Sequence, residues 1–101
     1  MTYIVGFVSQ KGGVGKSTLA RLLAREVAIG DMSVKIADMD LKQATSCSWT
    51  RRRLENGIEP SIRAEAFSNV KSAMCESNNF DVFIFDGAPH ANIQTKEIAD
   101  V

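Results

Sequence analysis

Two stretches of the chain are almost continuously apolar, Tyr3 to Val8 and Phe80 to Phe85, and Val34-Lys35-Ile36-Ala37 is a shorter run of the same kind. Runs this short and this apolar predict strands of a parallel sheet covered on both faces. Two of them finish on a carboxylate, Asp38 and Asp86. Between the runs the period changes. Leu19, Leu22, Leu23 and Val27 recur at three- and four-residue spacing with Arg21 and Arg25 elsewhere, which predicts a helix over Leu19 to Ile29 with Gly30 as its C-terminal cap. Asp31-Met32-Ser33 then turns the chain into the Val34 strand, and the crossover of this strand-helix-strand unit is expected to be right-handed. Thr45 or Ser46 is suited to cap a second helix running to Asn56, with Gly57 as its stop and Pro60 beyond. Ser61 to Phe67 alternates, with Ile62, Ala64 and Ala66 against Arg63 and Glu65, as in an edge strand with one wetter face. Ser68 to Asn79 carries Val70, Ala73 and Met74 at helical spacing, and Thr95 begins a last helical turn. The alternation predicts an α/β fold, a parallel sheet with flanking helices.

The first apolar run and the first helix are joined by Gln10-Lys11-Gly12-Gly13-Val14-Gly15-Lys16-Ser17-Thr18. Strand, glycine loop and helix in that order suit a polyphosphate, which must touch backbone N–H groups directly. A side chain at Gly12, Gly13 or Gly15 would clash or forbid the required φ. A helix starting near Lys16 adds its unpaired first-turn donors and positive dipole end. Lys16 can then reach the β/γ-phosphates, and the Ser17 hydroxyl is suited to ligate Mg²⁺. The stretch is a P-loop with one departure: Gln10 holds the position where the common pattern has its first glycine, and Lys11 precedes the glycine pair.

Ligands in parallel α/β sheets bind beyond the carboxyl ends of the strands, where Asp38, Asp86 and the glycine loop should meet. Mg²⁺ on a nucleotide prefers octahedral oxygen coordination and keeps several waters, so Ser17 can supply one direct ligand while carboxylates hold the coordinated waters. Asp86 is assigned to that role.

The loop resembles the deviant Walker A motif of partition and division-site ATPases of the ParA and MinD type, whose relatives include nitrogenase reductases and cluster carriers. Further matches follow in order along the chain. Val82 to Asp86 resembles a Walker B strand, Gly87-Ala88-Pro89 resembles the second switch, and Asp38-Met39-Asp40 resembles the D-x-D first switch. Leu41-Lys42-Gln43 stands where the family has proline and glutamine directly after the second aspartate. The resemblance implies a P-loop NTPase fold with strand order 3-2-4-1 in the part present. It also implies that residues Lys11 to Thr18 (Lys11, Gly12, Gly13, Val14, Gly15, Lys16, Ser17, Thr18) bind Mg-ATP and that Ser17, Asp38 and Asp86 lie at the metal. Catalysis would rest on Lys11, Lys16 and Asp40, with Asp40 orienting the attacking water and Lys11 reaching the partner's nucleotide in an ATP-dependent homodimer. The small plasmid-type partition ATPases are the nearest likeness. For them the resemblance implies nonspecific DNA binding in the ATP state, a centromere-binding adaptor protein that stimulates slow hydrolysis, and association with the nucleoid.

Composition narrows these expectations. The 101 residues, 45% of them hydrophobic, make one globular domain at most. Members of the family are roughly twice as long, so residues 1–101 are expected to be the N-terminal part of the ATPase domain, apparently truncated and by itself inactive. The formal net charge is zero, so any nucleic-acid surface must be local. No apolar run reaches membrane-spanning length, no signal-peptide pattern precedes the first strand, and a cytoplasmic protein is expected. Cys47 and Cys75 are too few and too far apart for a disulfide framework or a C-x-x-C metal site. Arg51-Arg52-Arg53 beside Trp49 reads either as a phosphate contact or as a wet helix face, with Arg53 one turn from Trp49 and able to stack on it. His90 reads as a solvated loop histidine. A division-site regulator, a cluster carrier and a non-hydrolysing remnant remain the alternatives to a partition ATPase.

Overall fold

The computed structural model describes residues 2–7, 16–40 and 45–87, without the side chains of Lys16, Ser17 and Thr45. Seven elements follow in the order β1 (Tyr3–Phe7), α1 (Lys16–Ile29), β2 (Val34–Asp38), α2 (Thr45–Glu55), β3 (Arg63–Ala66), α3 (Val70–Ser77) and β4 (Val82–Asp86). All strand pairs are parallel, and the sheet order is β1-β4-β2-β3, the expected order read from the other edge. Glycine-loop residues 8–15, residues 41–44, Ala88, Pro89, His90 and the helical turn expected from Thr95 lie outside the described residues.

The two interior strands, β2 and β4, are buried along their whole length. On one face α1 and α2 cover Val34 and Ile36 of β2 and Val82 and Ile84 of β4, together with Ile62 and Trp49. On the other, α3 covers Ala37, Phe83 and Phe85, with Phe67, Val70 and Ala73 completing the layer. β1 takes the edge position that the expected order gives it, but where its apolar run predicts cover on both faces it is covered on one only: Val5 and Phe7 meet the α1 layer, while Tyr3 is 60% exposed and Ile4 is also open.

α1 turns a different stripe to the sheet from the one its leucines suggest. Ala20, Leu23, Ala24, Val27 and Ala28 form the packed face, and Leu19 and Leu22 are exposed. Fully buried alanines let the helix backbone approach the sheet closely, so small residues outcompete large ones for this face. At the helix end, Gly30 does not take the left-handed conformation; Asp31 does, at φ 63°. The Asp31 N–H bonds the Ala28 carbonyl and the Met32 N–H bonds the Val27 carbonyl, which satisfies the last carbonyls of the helix. α2 ends the same way with Gly57 at φ 65°, as its sequence predicts. α3 is capped by Asn69, whose side chain accepts the Ser72 N–H at 2.8 Å.

Lys35 is the one charged side chain inside the α3 layer among the described buried residues that is a base. Its ammonium donates to Glu65 at 2.7 Å and Glu76 at 3.3 Å and lies 5.6 Å from the ring centres of both Phe67 and Phe80. Two carboxylates and two ring faces replace its water, which is what a buried lysine requires.

Candidate functional site at the carboxyl ends of the strands

Three strands end together. The Gly87 N–H bonds the Phe7 carbonyl at 3.0 Å and the Met39 N–H bonds the Asp86 carbonyl at 2.9 Å, so the ends of β1, β4 and β2 are tied in a row. The parallel register sets Asp38 directly opposite Asp86, and both are only 1% exposed. Asp38 follows Ile36 by two positions and Asp86 follows Ile84 by two, which turns both carboxylates to the face covered by α1 and α2. A helix that returns from β1 in a parallel sheet starts at this same end, where Lys16 opens α1 and Ser17 and Thr18 continue its first turn.

Each oxygen of Asp38 is held. Oδ1 accepts the Asp40 N–H at 3.1 Å, and Oδ2 accepts the N–H groups of Ser46 and Cys47 at 3.1 and 3.2 Å. Those last two belong to the first turn of α2, which has no carbonyls of its own to bond them. Asp38 therefore closes the N-terminus of α2 from the neighbouring strand. Ser46, a candidate cap by sequence, is not one: it sits inside the first turn, fully buried, and its hydroxyl donates to Asp86 Oδ2 at 2.7 Å. Nothing local marks this role, because the partner is 40 positions away.

Burial pushes the Asp38 carboxyl above its ordinary value of 3.8, and the Asp86 charge adds to the effect against the pull of the three N–H groups. The native state thus holds this proton more tightly than the unfolded chain does. The contribution to stability is fully present below the unfolded pKa and is lost as pH rises through the folded one. Asp38→Asn removes the titrating group, so its urea midpoint should gain on that of the wild type as pH is raised from about 4 to about 7. A difference that stays constant or runs the other way would contradict the burial argument.

The Cys47 thiol is pushed up to about 11, first by burial and then by the Asp38 charge, so it is a protonated, unreactive group at neutral pH. Arg53 stacks on Trp49 at 5.0 Å from the ring centre and donates to the Pro60 carbonyl at 3.0 Å; Arg21 of α1 adds a second cation at 5.9 Å from the same ring. The arginine triplet is therefore divided: Arg53 packs on Trp49 of its own helix and ties it to Pro60, and Arg51 and Arg52 are exposed.

Lys11, Gly12, Gly13, Val14 and Gly15 lie outside the described residues, and of Lys16 and Ser17 only the backbone is described. The structure brings Asp38, Asp40 and Asp86 to one end of the sheet with the start of α1. No group of three or more His, Cys, Asp or Glu is arranged to cage a metal among the described residues. Two buried carboxylates and hydroxyl-bearing helix residues are a hard oxygen donor set, which fits Mg²⁺ held largely by waters and phosphate oxygens and does not fit a cage of soft ligands. No helix among the described residues is long and apolar enough to cross a membrane.

A search among curated proteins finds no match to the chain. The family profile CbiA, described as the CobQ/CobB/MinD/ParA nucleotide binding domain, matches residues 5–100. That span runs from β1 past β4 and takes in the glycine loop and both strand-end aspartates. With a parallel α/β sheet in the expected order and its carboxylates gathered at the carboxyl ends, the chain belongs to the CobQ/CobB/MinD/ParA family of nucleotide-binding domains.

Proposed function

We propose that the chain is the nucleotide-binding part of a partition-type ATPase, which binds and slowly hydrolyses Mg-ATP to switch dimerisation and nonspecific DNA binding. The observation that carries the reading is the buried Asp38–Asp86 pair, set opposite one another at adjacent strand ends on the side where α1 begins. In this reading the N–H groups of Gly12 to Gly15 cradle the phosphates and Lys16 neutralises the β/γ oxygens. Ser17 gives Mg²⁺ its direct protein ligand, while Asp38 and Asp86 hold its waters. The bound metal supplies charge neutralisation on the β- and γ-phosphates. Asp40, two residues beyond β2 and tied through its N–H to Asp38, orients the water. Lys11 acts on the nucleotide of a second copy. A centromere-binding adaptor protein speeds the hydrolysis, and the DNA-bound form is associated with the nucleoid of the cytoplasm.

Two substitutions separate the steps. In the full-length protein, Lys11→Ala should keep ATP binding and lose the ATP-dependent dimer, whereas Asp40→Ala should retain the dimer and slow hydrolysis by about 10²-fold. Light scattering with and without ATP, phosphate release and retention of random-sequence DNA measure the three properties. A Lys11→Ala protein that dimerises and hydrolyses normally overturns the action in trans, and a wild type whose DNA retention ignores ATP overturns the partition role.

A further inference from the structure

Ser46 has two donors, and they go to two different carboxylates. Its N–H reaches Asp38 Oδ2 at 3.1 Å and its hydroxyl reaches Asp86 Oδ2 at 2.7 Å. The hydroxyl is wholly buried, where an unbonded O–H would be costly, and the short O–H···O⁻ distance is that of a charge-assisted bond. A serine that merely ended a helix would bond within its own turn. This one instead fixes the rotation of Asp86 about its Cβ–Cγ bond and commits Oδ2 to α2. The plane of the Asp86 carboxylate is thereby set in one orientation. The Ser46 N–H, together with that of Cys47, performs the same service for Asp38.

We propose that Ser46 is a positioning residue for the divalent cation: it orients the Asp86 carboxylate, and with it Asp38, toward the waters of a bound Mg²⁺. This rests on the nucleotide-binding reading above and adds a residue to it that the loop and strand motifs do not contain. Groups that orient the partners of a metal without touching it are worth about 10–100-fold in metal affinity.

The test is calorimetric titration of the full chain with a non-hydrolysable ATP analogue, with Mg²⁺ and with EDTA. For Ser46→Ala we expect unchanged affinity in EDTA and a Mg²⁺-dependent gain about 10-fold smaller than that of the wild type. Ser46→Cys is nearly isosteric and a far weaker donor, so it carries the same expectation with little disturbance of packing, and far-UV circular dichroism identifies a variant that fails to fold. A purely structural role would lower both affinities together or neither. A variant that folds and keeps the full Mg²⁺ gain overturns the role of Ser46 and leaves the nucleotide site standing. A wild type that binds the analogue under neither condition overturns the site and this inference with it.

Discussion

Lys16→Ala is expected to abolish measurable nucleotide binding in an otherwise folded protein. Lys16 opens α1, so its replacement leaves the helix, the sheet and the two strand-end aspartates in place. What would be lost is the cation that the proposed reading centres on the β- and γ-phosphates. Hydrogen bonds to charged groups are worth about 1.5–3 kcal/mol net, or roughly 10–150-fold in affinity, and more where a triphosphate brings several negative charges to the site. Titration with Mg-ATP beside an unchanged circular dichroism spectrum measures this. Affinity equal to that of the wild type would mean that the glycine loop holds no phosphate.

The sheet was legible because its interior strands announce themselves. Val82 to Phe85 cannot be solvated on either face, and the structure buries both faces. Gly57 was legible as a helix stop for a similarly local reason, whereas the helix read from Ser68 begins at Val70, behind the Asn69 cap. The strand-end positions of Asp38 and Asp86 also followed from the runs that precede them. Periodicity misjudged features whose cause is remote. α1 presents Ala20 and Ala24 to the sheet because close approach favours them, although Leu19 and Leu22 carry more apolar surface. Lys35 stands inside because Glu65 and Glu76, 30 and 41 positions later, come back to meet it. Asp31 takes the left-handed turn beside a glycine that would do so at lower cost. Ser46 reads as a cap until Asp86 is seen next to it.

Phe83→Ala should be the most damaging single truncation in the core. Phe83 is fully buried in β4, with the Phe85 ring edge-on at 5.3 Å and the Phe80 ring at 6.3 Å. The substitution removes apolar contact on the α3 face and leaves a void that the flanking strands cannot close, since β1 and β2 hold β4 on both sides. Losses of about 3–5 kcal/mol are usual for such a change, against a total stability of about 5–15 kcal/mol for a domain. Ile4→Ala, on the open face of β1, should cost under about 1 kcal/mol. Urea unfolding of both variants makes the comparison, and a Phe83→Ala loss as small as that of Ile4→Ala would contradict the assigned core.

The position of β1 also governs the order in which the chain can assemble. Lys35 meets Glu65 across 30 residues and Ser33 meets Asp81 across 48, whereas the Thr2 hydroxyl must find the Phe80 carbonyl across 78. Closing the longest of these loops directly costs only ~0.8 kcal/mol more than closing the shortest. The stronger constraint is that β1 has no strand to pair with until β4 exists. Among the four described strands, the first made is thus the last to be paired. Throughout that interval the β1 run has no strand beside it, which makes it a segment in need of protection from aggregation while the chain is being made.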